Sequence, residues 1–350
     1  MSRPLLITGA SGFLGRHVLE ALAQGSDADW QPVALVRNAV EWGLTAWQQA
    51  LGPVPAVAGE LLDAAAWEDH PLLEGLGGIL HLAAVVKHSR TSPEAMVRTN
   101  VEGTLAMVRL AAKYRCRLVF VSTSGTVGCF MRPDQQADEA APYCWEQVKE
   151  WPYYRSKIEA ELAARTLASE LGVELVIIRP PVILGPQDHR LRSTSNVARV
   201  LRRRVPFMLE GGMHFVDVRD VAPALLRALE IPTPRPVYHL PGCQSTLPVF
   251  FRMVARLAQV PLPGWSVPNG LVWALASLNQ ALGPHALHLL PDPVVIEMAS
   301  RHWGLRSLYA EAELGYRARP ADETLRDTVT WLRDHYGLAS SRTREPEPVG

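Results

Sequence analysis

Short apolar runs alternate along the chain with segments whose apolar residues recur every three or four positions. The runs are rich in leucine and β-branched residues, which is typical of strands covered on both faces. The alternation predicts parallel strands joined by crossover helices, and therefore an α/β fold with a doubly wound parallel sheet. The clearest predicted strands are Val33–Val36, Ile79–Ala83, Leu118–Ser122 and Leu175–Ile178, and the residues Val97, Val101, Leu105 and Val108 predict the buried stripe of one helix.

A glycine-rich turn follows the first apolar run. Glycines stand at positions 9, 12 and 15, and Leu14, Val18 and Leu22 then step by four, so the sequence predicts a strand, a tight turn and a helix. Glycine lets the backbone approach a pyrophosphate, and a helix N-terminus offers unpaired N–H groups and the positive end of its dipole. This context predicts a dinucleotide-binding domain of the Rossmann type. A purely structural turn is the alternative.

The residue at the end of the second strand bears on the choice of cofactor. In dinucleotide-binding folds, an acidic residue roughly 20 positions beyond the glycines binds the ribose 2′-hydroxyl of NAD. This chain has Arg37 there. A guanidinium pairs bidentately with a 2′-phosphate, so the sequence favours NADP, with NAD as the second option and a merely solvated arginine as the alternative.

Tyr153 and Lys157 form the candidate catalytic pair. They stand four positions apart in a helical pattern, so both side chains project from one face. A phenol has an ordinary pKa of about 10, and a neighbouring ammonium is expected to lower it toward neutral pH. Ser124 follows a predicted strand at its carboxyl end, where open α/β sheets place their sites. We therefore expect Ser124 to orient a substrate carbonyl while Tyr153 supplies a proton; a chance Tyr-x-x-x-Lys on a surface helix is the alternative.

The pattern becomes less regular after about residue 180, where prolines and arginines increase. We expect residues 1–180 to form the dinucleotide-binding domain, with residues 213–240 returning to its sheet through Phe215–Val218 and Val237–Leu240. Residues 181–212 and 241–337 are then a smaller, irregular substrate-binding region. Residues 338–350 are poor in apolar side chains and predict a disordered tail.

Composition excludes several classes of function. The 350 residues carry 35 Lys and Arg against 35 Asp and Glu, so nothing points to nucleic acid or to an acidic partner. The first strand begins close to Met1, which leaves no room for a signal peptide and predicts a cytoplasmic protein. Cysteines without metal-type spacing predict reduced thiols, with no metal site and no disulfide framework; they are Cys116, Cys129, Cys144 and Cys243.

In this order, the motifs resemble those of the extended short-chain dehydrogenases/reductases, in the NAD-dependent epimerase/dehydratase family. The resemblance extends over nearly the whole chain. Besides the glycine turn, the Ser124 segment and Tyr153 with Lys157, the similar segments are His81–Ala84, Asn100–Thr104, Arg179–Pro186, Phe215–Ala222, Glu313–Tyr316 and Leu325–Leu332.

The resemblance implies roles for further residues. Glu60 and Leu61 would lie beside the adenine, Lys157 would also hold the nicotinamide ribose, and Pro180 with its neighbours would close over the nicotinamide. Asn100 would support a proton-relay water. The implied catalytic residues are Ser124, Tyr153, Lys157 and Asn100, and the implied cofactor-binding residues are Thr8, Gly9, Ser11, Gly12, Phe13, Leu14, Gly15, Arg37, Glu60, Leu61, His81, Ala83, Lys157, Pro180 and Val182.

Within this family the chain looks most like the dihydroflavonol-reductase and 3β-hydroxysteroid-dehydrogenase branches, which act on bulky apolar molecules. Ser122–Gly125 replaces the Thr-Asp-Glu of dehydratases, and Arg37 departs from the acidic residue of sugar-nucleotide epimerases. The resemblance thus implies an NADP(H)-dependent oxidoreductase that interconverts a ketone and a secondary alcohol on a sterol-, flavonoid- or lipid-like substrate.

Two alternatives stay open. The first is a sugar-nucleotide epimerase, in which a basic cluster would bind a pyrophosphate. The second is a non-catalytic NADP-binding regulator, although such a protein needs no catalytic tyrosine. The basic cluster comprises Arg192, Arg199, Arg202, Arg203 and Arg204, for which a solvated helix end is the simpler interpretation.

The stretch from Trp265 to Trp303 is rich in leucine, valine, alanine and tryptophan. It predicts the wall of an apolar pocket, a helix pair resting on a membrane, or ordinary helix packing. Its most apolar part, residues 270–282, is too short to span a bilayer, so a membrane contact there would be peripheral. The resemblance also suggests a homodimer through the helices that carry Asn100 and Tyr153, although extended members occur as monomers too.

Overall fold

A computed structural model describes residues 3–25, 29–45, 47, 51–282 and 291–338. Its strands, in chain order, are β1 (Arg3–Thr8), β2 (Trp30–Val36), β3 (Ala56–Ala58), β4 (Gly78–His81), β5 (Arg117–Val121), β6 (Cys129–Phe130), β7 (Leu175–Arg179), β8 (Val182–Leu184), β9 (Gly212–Asp217), β10 (Val237–His239), β11 (Cys243–Thr246) and β12 (His302–Trp303). Its helices are α1 (Phe13–Ala23), α2 (Ala39–Gly43), α3 (Glu94–Tyr114), α4 (Trp145–Val148), α5 (Pro152–Leu171), α6 (Ser195–Leu201), α7 (Val218–Glu230), α8 (Leu247–Ala258), α9 (Asn269–Ala281), α10 (Pro293–Ala299), α11 (Ala310–Leu314) and α12 (Ala321–Tyr336).

The main sheet confirms the predicted α/β fold. Within the described residues its seven strands lie in the order β10-β7-β5-β4-β1-β2-β3, and every neighbouring pair is parallel. The order reverses at β1, which pairs with β2 on one side and β4 on the other. Such a reversal leaves a crevice at the carboxyl ends of the strands, where open α/β sheets bind their ligands.

Helices cover both faces of this sheet, which explains why the strands read as continuous apolar runs. In β1, Leu5 and Ile7 belong to the apolar cluster beneath α1 and α7, whereas Leu6 belongs to the cluster beneath α3 and α5. Successive strand residues point to opposite faces, so a strand buried on both sides needs apolar residues at every position.

The predicted stripe of α3 is only partly correct. Val108 is buried, but Val97, Val101 and Leu105 are half-buried. The side of α3 that packs deepest instead carries small and polar residues, among them Asn100 and Gly103. These side chains suit a helix that runs past a polar site, and the homodimer through α3 and α5 stays a prediction.

A second sheet corrects one expectation from the sequence. Strands β8 and β9 pair in parallel, and β9 pairs antiparallel with β11, so Phe215–Val218 does not return to the main sheet. All six residues of β9 are buried, and burial on both faces does not reveal from the sequence which sheet the strand joins. The other returning segment was predicted correctly, because β10 pairs with β7.

Several of the remaining helices pack around Phe250 and Leu325, and β6 and β12 form a short antiparallel pair. The division of the chain at residue 180 stays a prediction. Of the predicted disordered tail, residues 339–350 lie outside the described residues.

Candidate functional site

The turn between β1 and α1 has the form that a pyrophosphate requires. Gly9 adopts a φ of +72°, and a Cβ there would lie 2.9 Å from the backbone nitrogen of Ala83. A Cβ at Gly15 would lie 2.4 Å from the Gly9 carbonyl oxygen. Both glycines are therefore needed for the chain to turn this tightly.

The start of α1 is open to an anion. Gly12 is the N-cap residue, no described side chain caps the helix, and its first turn contains no acidic residue. The N–H groups of that turn and the positive end of the helix dipole are thus available to a phosphate. Ser11, Phe13 and Leu14 line the turn as half-buried residues, and the residues present fit a dinucleotide.

His81 joins the glycine turn to α3. Its Nδ1 lies 2.8 Å from Thr8 Oγ1, which accepts a hydrogen bond from the Ala83 N–H, and its Nε2 lies 3.1 Å from Thr104 Oγ1. Because the Thr104 hydroxyl donates to the Asn100 carbonyl, we assign the proton of neutral His81 to Nε2. Burial, with a smaller contribution from Lys157, lowers the pKa of His81 to about 3.

The His81 ring is engaged within the protein, and the cofactor-binding role expected for this residue stays a prediction. Both ring nitrogens are bonded inside the protein and the side chain is buried. His81 is therefore a positioning residue that holds the ends of β1 and β4 against α3.

Arg37 and Glu60 occupy the rim expected for the adenosine part of a cofactor. Arg37 is exposed directly after β2. The N–H of Gly59 donates to the Val36 carbonyl at 2.8 Å, so the segment with Glu60 and Leu61 runs beside the end of β2. Leu61 packs against Gly103 of α3, while Glu60 stays exposed.

Ser124, Lys157 and Pro180 come together at the carboxyl end of β5. The buried Lys157 ammonium donates a 2.9 Å hydrogen bond to the Val121 carbonyl. Ser124 lies in the turn that follows, and its N–H donates to the Pro180 carbonyl at 2.8 Å. Three segments distant in sequence therefore meet at one edge of the sheet, with Val182 exposed just beyond.

Two hydroxyl groups at this edge are available to a substrate. Among the described residues, neither the Ser124 hydroxyl nor the Tyr153 hydroxyl has a hydrogen-bond partner. Helix α5 places Tyr153 one turn before Lys157, as the spacing predicted. A hydroxyl without a partner in the protein can donate a hydrogen bond to a substrate carbonyl oxygen, as general acid catalysis requires.

The pKa values depart from the expectation. Burial raises the pKa of Tyr153 to about 12, and burial lowers the pKa of Lys157 to about 8. The prediction of a lowered tyrosine pKa is wrong for the protein alone, because desolvation favours the neutral form of each group. Tyr153 therefore keeps its proton at neutral pH and is ready to donate it.

Asn100 is engaged within the protein. Its Oδ1 accepts from the Val85 N–H at 2.8 Å, and its Nδ2 donates to the Val85 carbonyl and to Ser156 Oγ, each at 3.0 Å. Ser156 in turn donates to the Tyr153 carbonyl at 2.7 Å. Asn100 thus positions the loop after β4 against the start of α5, and its role with a relay water stays a prediction.

The buried ion pair between Glu161 and Arg179, near Lys157, was not predicted from the sequence. Burial alone would raise the pKa of Glu161, yet Arg179 and two hydroxyl donors hold it below its usual range. Arg179 Nη2 lies 2.5 Å from Glu161 Oε2, and Ser122 and Tyr143 donate to the same carboxylate. The only sequence signal is the spacing of Glu161, one helical turn after Lys157.

A cluster of aromatic side chains beside Tyr153, here called the aromatic wall, was also not predicted from the sequence. It is formed by His88, Trp151, Tyr154 and Trp303. The Tyr153 ring lies 5.3 Å from the His88 ring and 5.2 Å from the Tyr154 ring, measured between centroids. Trp303 lies 5.1 Å from Tyr154. These residues come from separate segments, so only the Trp-Pro-Tyr-Tyr run at the start of α5 hinted at the wall.

Comparison with known proteins agrees with this geometry. Residues 5–239 match the model of the NAD dependent epimerase/dehydratase family. A Synechocystis sp. protein with the provisional name dihydroflavonol 4-reductase is 29% identical over 347 residues, covering 96% of each chain. Cinnamoyl-CoA reductase 1 of Arabidopsis thaliana is 27% identical over 276 residues, 75% of this chain and 77% of its own.

A solved structure extends the comparison to the fold. The crystal structure of gox2253 superimposes with a TM-score of 0.78 at 26% identity, and the match covers 95% of this chain and 99% of the other. The family match spans more than half of the 350 residues and includes the glycine turn, Ser124, Tyr153 and Lys157. The chain therefore belongs to the NAD-dependent epimerase/dehydratase family, among the extended short-chain dehydrogenases/reductases.

Proposed function

We propose that this protein is an NADP(H)-dependent oxidoreductase that interconverts a ketone and a secondary alcohol on a bulky hydrophobic substrate. The observation that carries the proposal is the buried Lys157 ammonium at the carboxyl end of β5, with Ser124 in the turn that follows β5 and Tyr153 one helical turn before Lys157. This arrangement suits proton donation to a carbonyl oxygen. The name dihydroflavonol 4-reductase supports this reaction class, and the name cinnamoyl-CoA reductase supports reduction in general.

The chain supplies a place for each part of the cofactor. The N-terminus of α1 would hold the pyrophosphate, and Arg37 would pair with a 2′-phosphate at the rim. Pro180 and Val182 would border the nicotinamide. When bound, the nicotinamide supplies the hydride of the reaction.

The protein's own groups handle the proton. Ser124 holds the substrate oxygen, and Tyr153, protonated at neutral pH, donates the proton from its hydroxyl to that oxygen. The Lys157 ammonium is held by the Val121 carbonyl and lies one helical turn from Tyr153. It stabilises the phenolate that this transfer leaves. In the oxidation direction the same groups act in reverse.

The aromatic wall supports an apolar substrate. The rings of His88 and Tyr154 adjoin Tyr153, and Trp303 packs against Tyr154, so a substrate whose carbonyl reaches Tyr153 would lie near flat aromatic surfaces. A sterol, a flavonoid or an acyl chain gains from such contacts, whereas a sugar would need polar partners instead.

Absorbance assays with NADPH test the proposal. The full chain is assayed against sterol, flavonoid, aryl and acyl ketones beside nucleotide sugars, with the Tyr153→Phe variant as the inactive control. We expect NADPH to be consumed with at least one hydrophobic ketone by the unmodified protein only. Conversion of a nucleotide sugar without net NADPH consumption would instead identify an epimerase. NADPH binding without turnover, together with cofactor-dependent binding of another protein, would identify a regulator.

A further inference from the structure

Helix α9 exposes a continuous apolar face. Leucines at positions 271, 275, 278 and 282 step by four, three and four, so they share one side of the helix. Their exposed fractions are 55%, 49%, 66% and 51% for Leu271, Leu275, Leu278 and Leu282. A neighbouring side is buried through Val272 and Ala276, which share an apolar cluster with Ile296, and the helix contains no charged residue. Three leucines of α9 and the leucine that caps its C-terminus thus form a strip of exposed apolar side chains without a charge.

Aromatic side chains extend this face beyond the start of the helix. Trp265 is 58% exposed and lies 6.3 Å from the Phe207 ring, measured between centroids. Backbone hydrogen bonds join Met208 to Trp265 and to Val267, so the two segments run side by side. Large aromatic rings of this kind are favoured at the boundary between lipid and water.

A basic cluster borders the same surface. Arg202, Arg203 and Arg204 are all exposed, and none of the described residues forms an ion pair with them. Arg204 precedes Phe207 by three residues, so their Cα atoms lie within about 11 Å of each other even if the chain is fully extended. Arg204 therefore lies near Phe207 and Trp265, and its charge would meet lipid phosphates if the leucines entered a bilayer.

We propose that α9, Trp265 and Arg202–Arg204 form a surface that binds peripherally to bilayers containing anionic phospholipids. The leucines enter the acyl boundary, the tryptophan lies at the headgroup level, and the arginines attract the negative surface. None of the described helices has the length and apolar character to cross a bilayer, so the contact lies in the membrane plane.

The size of the patch favours a membrane over a protein partner. Thirteen residues of helix extend about 20 Å, and a strip about 10 Å wide along them covers roughly 200 Å². A stable protein interface needs about 800 Å² from each partner. Lipid molecules adapt to a small patch, and the unpaired arginines match their negative charge.

The surface is connected to the candidate active site through Glu297. The Trp273 indole of α9 donates to Glu297 at 2.9 Å, and the Trp151 indole at the start of α5 donates to the same carboxylate at 2.8 Å. Arg90, from the loop after β4, forms an ion pair with it. The helix that would touch the bilayer is therefore anchored to the segment that carries Tyr153.

Vesicle flotation tests the inference without reference to enzyme activity. The full chain is mixed with phosphatidylcholine vesicles, with or without phosphatidylglycerol, at low and high salt. We expect binding to the anionic vesicles that weakens with salt. Leu275→Glu with Leu278→Glu should abolish it, and Arg203→Gln with Arg204→Gln should weaken it about 25-fold, at roughly fivefold per arginine. Leu44→Glu, at a residue that is 72% exposed elsewhere, is the matched control and should bind normally.

Circular dichroism confirms that each variant is folded, and size-exclusion chromatography gives its oligomeric state. Absence of vesicle binding by the unmodified chain would overturn the proposal, as would equal binding by the leucine variant. A dimer that dissociates in the leucine variant, without vesicle binding, would show that a second copy covers the face instead.

Discussion

Lys157 and Val121 are joined by a 2.9 Å hydrogen bond from the buried ammonium to the last carbonyl of strand β5. The Phe120 ring lies beneath the same ammonium, with its centroid 4.5 Å from Nζ. The sheet therefore determines where the cation lies, and Tyr153 is placed relative to it by the helix they share. Five predictions follow from this site and its surroundings.

Removing the Tyr153 hydroxyl should stop catalysis without affecting the cofactor. Tyr153→Phe keeps the ring contacts with His88 and Tyr154 but loses the proton donor, so we expect kcat to fall by about 10²–10⁴ while NADPH affinity is unchanged. Initial rates and fluorescence titration with NADPH measure the two quantities. Tyr154→Phe is the matched control and should retain most activity; equal activity of both variants would remove Tyr153 from the mechanism.

Replacing Arg37 should change cofactor preference. Arg37→Asp removes a charge-assisted pair with the 2′-phosphate, worth roughly 1.5–3 kcal/mol, and offers a carboxylate to a ribose hydroxyl. We expect NADPH affinity to fall about tenfold to hundredfold and NADH affinity to hold or improve. Dissociation constants of both cofactors provide the test, and equal affinity of the unmodified protein for the two would contradict the role of Arg37.

The rate of ketone reduction should decline as pH rises through about 8. Burial lowers the pKa of Lys157 to about 8, and above it the neutral amine no longer stabilises the phenolate left by Tyr153. The logarithm of kcat/KM against pH measures this step. Lys157→Arg keeps its charge and should lack the decline near pH 8; an unchanged decline in that variant would assign it to another group.

The free energy of unfolding should decrease as the pH is lowered, because His81 is held neutral in the folded protein. Its pKa is lowered to about 3 in the folded protein, so below the ordinary value of about 6.5 the unfolded chain binds a proton that the folded chain does not. Unfolding free energy therefore decreases as pH falls from about 6.5 toward 3, by about 1.4 kcal/mol per unit from this group. In the His81→Gln variant, the free energy of unfolding, measured with urea at a series of pH values, should decrease less steeply as pH falls. Parallel plots of this free energy against pH for the variant and the unmodified protein would refute the prediction.

The tight glycine turn should not tolerate a methyl group. A Cβ at Gly15 would lie 2.4 Å from the Gly9 carbonyl, so Gly15→Ala should lower stability by about 1–3 kcal/mol and weaken NADPH binding more than tenfold. At Gly43, in α2, a Cβ meets nothing within 4 Å, which makes Gly43→Ala the control. Thermal unfolding and NADPH titration compare them, and similar behaviour of the two variants would show that the turn adapts.

The sequence alone determined the features that lie within one element. The alternation of strands and helices, the glycine turn with its helix and the Tyr153–Lys157 spacing are local patterns, because the periods of 2 and 3.6 residues are written directly in the order of residues. The order of the motifs was also sufficient to indicate the family, which the family match later showed.

Only the tertiary structure decided what depends on distance between segments. It placed Phe215–Asp217 in the second sheet, paired both ring nitrogens of His81 with threonine hydroxyls and joined Glu161 to Arg179. It also reversed the expected pKa shift of Tyr153, because desolvation depends on everything packed around a group. The order of residues along the chain does not specify which groups surround a buried side chain or how deeply it is buried. The surroundings and the burial decide which hydroxyl keeps its proton and which polar residue is available to a ligand.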